Sequence, residues 1–258
     1  MPKTSAIIFD WAGTTVDFGS LAPVRALQRL FAGRGLAVAE DEARRDMGIH
    51  KKDHIRALLR AKMGAAADEG QVEDLFAAFI PMQMDCLAAY SKVIPGVPAT
   101  VEALRARGIE IGSTTGYTRP MLDLLLETAA AQGYQPDCAL CPDDAGAGRP
   151  WPWMCYLNAI RLRTYPMHTM IKIGDTISDI EEGLNAGMWT IGIARTGNMI
   201  GLTAEELAAL PAGEQAARMD AARRKLIEAG AHYVADAVAD GLPPIDRIEQ
   251  RLASGDRP

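Results

Sequence analysis

The sequence predicts an α/β fold: a doubly wound parallel sheet with an all-helical cap domain inserted behind its first strand. Two observations carry this. From about residue 93 onward, short apolar runs alternate with stretches of helical periodicity, and such alternation implies parallel strands with helices on both faces. Residues 21–92, by contrast, show helical periodicity and no convincing strand. An all-helical block lodged inside a βα series reads as a separate unit on two linkers, at 18–20 and 91–95. The expected division is a core of 1–19 with 96–258 and a cap of 20–95.

The first strand is Ala6-Ile7-Ile8-Phe9, an apolar run suited to burial on both faces of a parallel sheet. It ends at Asp10, whose carboxylate emerges at the C-terminal edge of the sheet, where open α/β sheets place their ligands. Gly13, Thr14 and Thr15 follow in a turn able to aim N–H groups at an anion. In the cap, Val24, Leu27, Leu30 and Phe31 share one helix face that stops near Gly33–Gly35. Further cap helices are expected over 40–47, 51–62 and 72–90. The core then resumes with helix 99–107, strand 109–113, helix 118–131 with Thr118 as N-cap, and strand 138–141. Helix 152–163, strand 170–173, helix 177–186 and strand 189–193 come next. A helical region over 204–229, broken at 211–213, leads to a last strand near 232–234.

The 258 residues suffice for a sizeable core, and 48% hydrophobic with 23% charged residues is ordinary for a soluble globular protein. A net charge of -6 argues against a broad nucleic-acid surface. No apolar run approaches the ~20 residues that span a bilayer, and the N-terminus lacks a signal peptide's apolar core. Four cysteines are too few for a disulfide scaffold. The Cys138-x-x-Cys141 pair has no second pair and no helix start, so it reads as ordinary thiols in or after a buried strand. A cytoplasmic protein is expected.

Four strand ends carry polar chemistry. A carboxylate at Asp10, facing amide donors and hydroxyls, suits nucleophilic attack on a phosphoryl group. Ser113-Thr114-Thr115-Gly116 offers O–H and N–H donors to phosphate oxygens. Arg149 stands just ahead of a helix with a guanidinium fork that suits a phosphoryl group. Asp175 and Asp179 add two carboxylates four residues apart, hard oxygen ligands that favour Mg²⁺ beside phosphate. Taken singly, each is explicable as structure: Thr115 by a turn, Asp179 by a helix cap. Four in this order, each ending a hydrophobic strand, make a site.

With these four motifs the chain resembles the haloacid dehalogenase superfamily of aspartyl-phosphate-forming hydrolases, whose core is Rossmann-like. One departure stands out. Phosphatases of that superfamily carry a general-acid Asp two residues after the nucleophile, and here that position is Ala12. An alanine cannot protonate an alkoxide, so the site looks unsuited to ordinary phosphomonoesters. The cap supplies a different device. In a helix starting near Lys51, the residues Lys51, Ile55 and Leu58 share a face with His54 beside them, whereas Lys52, Arg56 and Arg60 form a separate basic face that belongs in water. Lys51 therefore turns inward, where desolvation and a neighbouring cation lower its pKa and free an amine for a Schiff base with a carbonyl substrate.

Longer strings narrow the resemblance to the phosphonatase family. They are Asp10-Trp11-Ala12-Gly13-Thr14-Thr15-Val16-Asp17, Met47-Gly48 with Lys51 and Asp53-His54, Gly112-Ser113-Thr114-Thr115-Gly116-Tyr117-Thr118-Arg119, Pro142-Asp143-Asp144, Gly148-Arg149-Pro150, Pro152-Trp153-Met154-Cys155-Tyr156 and Gly174-Asp175-Thr176. Ser20 and Trp151 depart from residues found in some relatives. The resemblance implies cleavage of the P–C bond of phosphonoacetaldehyde to acetaldehyde and phosphate, with Lys51 forming the imine and Asp10 the aspartyl-phosphate. It implies Mg²⁺ on Asp10, the Ala12 carbonyl and Asp175, with Asp179 in support. Thr115, Gly116 and Arg149 would hold phosphonyl oxygens, and Met47, His54 and Tyr117 would shape the pocket or help proton transfer. A homodimer, formed through the cap, is also implied. The rival readings are a phosphomonoesterase or phosphosugar mutase on the same core, which Ala12 and Lys51 oppose, and a non-enzymatic phospho-acceptor domain, which leaves the cap, Arg149 and Lys51 without a purpose.

Overall fold

A computed structural model describes residues 3–258. Six strands form one parallel sheet in the order β3-β2-β1-β4-β5-β6: β1 (Ala6–Phe9), β2 (Glu110–Thr114), β3 (Cys138–Leu140), β4 (Met170–Gly174), β5 (Trp189–Ile193) and β6 (Tyr233–Ala235). That is the strand order of a doubly wound, Rossmann-like sheet. β1 is central, paired to β2 and β4, so an apolar residue is needed on each of its faces. Alternation divides them. Ile7 and Phe9 pack with α5 (Val97–Ala106), α6 (Arg119–Ala130) and α12 (Leu242–Ala253) on one side, and Ala6 and Ile8 pack with α8 (Trp153–Leu162) on the other.

Between β1 and α5 lie four α-helices and no strand: α1 (Leu21–Ala32), α2 (Glu40–Arg45), α3 (Lys51–Met63) and α4 (Glu69–Tyr90). The two linkers run side by side, with Asp17 N–H donating to the Lys92 carbonyl (3.1 Å) and Ile94 N–H to that of Thr15 (2.9 Å). The first linker turns sharply at Asp17, Gly19 and Ser20, all with positive φ. The Asp17 carboxylate then accepts the N–H groups of Leu21 (3.0 Å) and Ala22 (2.9 Å), capping α1 at the point where the chain enters the helical block.

Element types agree with expectation, and boundaries shift by a few residues. α4 starts before residue 72 because Asp68 caps it, accepting Gln71 N–H at 2.9 Å while Gln71 reaches back to Asp68 N–H. Thr118 occupies the N-cap position of α6, but its Oγ1 is buried without a partner. Cys138 opens β3 and Cys141 follows it; both are free and buried. Two helices had no expectation, the short α7 (Pro142–Ala145) and α12. Pro243 and Pro244 sit in the first turn of α12, where proline fits a helix but reads in sequence as a loop. The rest of the core is α9 (Ile177–Asn185), α10 (Ala204–Ala209) and α11 (Ala212–Glu228).

Candidate active site

The C-terminal ends of β1, β2 and β4 converge on a cavity of ≈ 20 Å³ closed from above by the helical block. Asp10, Ala12, Met47, Lys51, Thr115, Gly116, Tyr117 and Arg149 line it. Asp10 extends β1, its N–H donating to the Ile173 carbonyl of β4 (2.8 Å), which fixes the carboxylate at the sheet edge. Arg149 Nη2 meets Asp10 Oδ1 at 2.6 Å. Thr115 continues β2, N–H to the Leu140 carbonyl, and its Oγ1 accepts from Tyr117 N–H (3.2 Å). Ser20 also borders the cavity, whereas Trp151 is 59% exposed and lies outside it.

Asp175 ends β4 beside Asp10. Its Oδ2 accepts Asn198 N–H (2.7 Å) and its Oδ1 accepts the Thr14 hydroxyl (3.1 Å). One oxygen each from Asp10, Asp175 and Asp179 falls within 4.8 Å of the others. Burial raises the pKa of Asp10 despite Arg149, and burial followed by the charges of Asp10 and Asp179 raises Asp175 well above the carboxylate range. Asp179 differs. Burial opposes its charge too, but Arg149 and Lys172, each 2.9 Å away, outweigh it and hold the carboxyl below the usual range. Asp10, Asp175, Asp179 and the neighbouring Glu182 are four buried carboxylates against two cations, Arg149 and Lys172. The raised pKa values of Asp10 and Asp175 mark a centre where carboxyl groups crowd beyond what two cations offset, and hard oxygen donors in that setting fit one divalent metal ion.

Lys51 opens α3 and is 2% exposed. The partner of its Nζ is the Met47 thioether at 3.6 Å, a weak acceptor, and the Tyr117 ring centroid lies 5.3 Å away. Burial is the main reason its pKa falls to about 8; Arg149 lowers it further, while Asp10 and Asp175 pull the other way. The basic face of the same helix points outward, Lys52 pairing with Glu73 and Arg56 with Asp53 and Glu69. His54 sits inside the helical block, fully buried, with neither ring nitrogen partnered and off the cavity wall. Burial and then Lys51 depress its pKa to about 3, so the ring is neutral. Tyr117 stays a neutral phenol, its pKa raised by burial.

The loop of residues 47–50 seats the helical block on the core. Ser178 Oγ donates to the Met47 carbonyl (3.1 Å), and Arg149 Nη1 reaches the Gly48 carbonyl at 3.5 Å. Gly48, at φ 94°, lies where a Cβ would collide with the Thr176 and Ser178 hydroxyls. Gly116 faces the same loop: a Cβ there would stand 2.6 Å from the Gly48 carbonyl oxygen.

The geometry thus gathers Asp10, Ala12, Met47, Lys51, Thr115, Gly116, Tyr117 and Arg149 around one space, with Asp175 and Asp179 adjoining Asp10 and His54 set back. Sequence reasoning missed Lys172, Glu182 and Asn198, and it read the Thr114 hydroxyl as a phosphate donor where the structure turns it to Lys172 and Glu182. A lysine inside the apolar strand Met-Ile-Lys-Ile-Gly was the available signal for Lys172, and i, i+3 spacing from Asp179 was that for Glu182.

Residues 4–187 match the haloacid dehalogenase-like hydrolase family. The chain is 45% identical to a phosphonoacetaldehyde hydrolase of Nitratidesulfovibrio vulgaris, over 98% of this chain and 94% of that one. It is also 45% identical to a phosphonoacetaldehyde hydrolase of Bacillus cytotoxicus, over 96% and 98% respectively. The crystal structure of a phosphonoacetaldehyde hydrolase-like protein from Oleispira antarctica superposes with a TM-score of 0.96 at 41% identity, covering 100% of this chain and 96% of that one. The chain belongs to the haloacid dehalogenase-like hydrolases and, among them, to the family whose curated members carry the name phosphonoacetaldehyde hydrolase.

Proposed function

We propose that this chain hydrolyses the carbon–phosphorus bond of phosphonoacetaldehyde, yielding acetaldehyde and phosphate. The observation that carries the reading is a desolvated lysine, Lys51, sharing one small cavity with Asp10 and with Ala12 at the general-acid position. Direct cleavage of a P–C bond would strand the electron pair on carbon. The neutral Lys51 amine adds to the aldehyde carbonyl, water leaves, and the protonated imine becomes an electron sink. Asp10 attacks phosphorus in line; the P–C electrons pass into the imine and leave an enamine. Protonation of the enamine carbon and hydrolysis of the resulting imine release acetaldehyde and return Lys51. Water then cleaves the aspartyl-phosphate at Asp10, and phosphate departs.

Arg149 and the Thr115 and Gly116 donors hold the phosphonyl oxygens. Met47 and Tyr117 keep the Lys51 amine in apolar surroundings that favour its neutral form. Asp10, the Ala12 carbonyl and Asp175 would hold a Mg²⁺ ion, which when bound would supply charge neutralisation for the phosphonyl group. The reading takes 20–95 as the cap and 1–19 with 96–258 as the core, and it extends to a cytoplasmic homodimer. Borohydride added with phosphonoacetaldehyde, followed by peptide mapping, tests it. Labelling at Lys51 with loss of activity is expected, whereas labelling at Lys52 or at no lysine would overturn the imine mechanism.

A further inference from the structure

Beneath Arg149 lies a second layer of charge that the reaction does not touch. Lys172 on β4 and Glu182 on α9 are fully buried, and neither reaches the cavity wall. Glu182 Oε2 accepts three donors: Arg149 Nε (3.1 Å), Lys172 Nζ (3.1 Å) and the Thr114 hydroxyl (2.9 Å). Lys172 Nζ also donates to Thr114 Oγ1 (2.7 Å) and pairs with Asp179 (2.9 Å). The helix carrying Glu182 is pressed onto this strand so closely that a Cβ at Gly183 would lie 2.7 Å from the Lys172 Cβ.

The Arg149 guanidinium is thereby held on every edge. Nη1 faces Asp179 (2.9 Å), Nη2 faces Asp10 and the Thr114 carbonyl (2.6 Å each), and Nε faces Glu182. A planar fork is oriented only when Nε and the Nη groups are fixed together. Asp10 cannot supply that constraint during turnover, because its carboxylate leaves the pair to attack phosphorus. Asp179 on Nη1 and the Thr114 carbonyl on Nη2 then hold the two outer nitrogens and leave Nε to be fixed. Glu182 closes the plane, and Lys172 offsets the repulsion between the two carboxylates that grip Arg149 from one helix turn.

We propose that Glu182 and Lys172 are positioning residues: they aim the Arg149 guanidinium at the phosphonyl oxygens from the side away from substrate. The proposal rests on the reading of Arg149 as an anion-binding group, but not on P–C cleavage itself. A buried pair that merely filled space would be replaceable by neutral side chains of similar volume without a selective loss.

The test measures inorganic phosphate binding by calorimetry in magnesium-containing buffer, and Lys51 labelling by acetaldehyde with borohydride, on variants with native near-ultraviolet circular dichroism. Glu182→Gln keeps shape and removes charge; phosphate binding should weaken about ten- to hundredfold, as expected for a lost hydrogen bond between charged groups. The rate of Lys51 labelling should stay within twofold of the parent. If Glu182→Gln does not fold, the paired Glu182→Gln, Lys172→Met variant, which removes one charge of each sign, should show the same selective loss. Phosphate affinity within twofold of the parent in a folded variant overturns the proposal, as does a parallel loss of phosphate binding and labelling. Should the parent itself fail to label at Lys51, the P–C reading falls, while the phosphate comparison still decides the role of Glu182.

Discussion

Lys51 illustrates what a reactive group costs the fold. Its pKa drops from the usual 10.5 to about 8, mainly through burial. Below about pH 8 the lysine is protonated in both folded and unfolded chains, so the penalty for burying its charge is fully present. Between about 8 and 10.5 only the unfolded chain keeps the proton, and stability rises with pH across that window. The shift corresponds to about 3 kcal/mol. Lys51→Met should therefore abolish turnover yet raise stability at pH 7 by about 2–3 kcal/mol, with the gain fading from pH ~8 and gone by pH ~10.5. Urea unfolding at the two pH values checks it, and a destabilised Lys51→Met protein would mean that the ammonium is better solvated than its burial suggests.

At the scale of one helix, α3 explains why Lys51 was legible and its supports were not. Apolar periodicity assigned Lys51, Ile55 and Leu58 to the inner face, and all three are buried. Lys52, one residue on, turns outward to Glu73 of α4 with its side chain 27% exposed. An ion pair at such an exposed site is worth under about 1 kcal/mol, so Lys52→Ala should leave turnover within about twofold and stability within about 1 kcal/mol. Steady-state assays beside urea melts measure both, and a large activity loss would undo the separation of the two faces. Strand ends were equally readable, because Asp10, Thr115 and Asp175 interrupt apolar runs where a parallel sheet stops. Lys172 and Glu182 escaped, since pairing between a strand lysine and a helix glutamate depends on packing that periodicity does not encode. The start of α12 escaped for a simpler reason: its two prolines look the same in a loop and in a helix's first turn.

Across the whole molecule, charge and closure decide what the site can do. Four buried carboxyl groups share two buried cations, and a divalent ion entering beside Asp10 and Asp175 would favour their ionised forms. Chelation should abolish activity reversibly, and Mg²⁺ should raise the melting temperature as ligand linkage requires. Asp175→Ala should weaken that metal response more than Asp179→Ala, because Asp179 is already spoken for by Arg149 and Lys172. Closure is set by a second feature. The cavity leaves only ≈ 20 Å³ beside the 47–50 loop, so substrate entry is expected to lift the helical block from its seat. Gly116 is where it reseats, and an added methyl would meet the Gly48 carbonyl at 2.6 Å and collide with that of Ile49, both rigid backbone. Gly116→Ala is then expected to leave the core folded but to hold the block off its seat. Water would reach Lys51, and its pKa would move from about 8 back toward 10.5. The half-point of Lys51 labelling by acetaldehyde and borohydride should shift upward in pH, and turnover should fall about 100-fold through misplacement of the amine. An unshifted half-point with normal turnover would show that the Gly116 face is not the seat of closure.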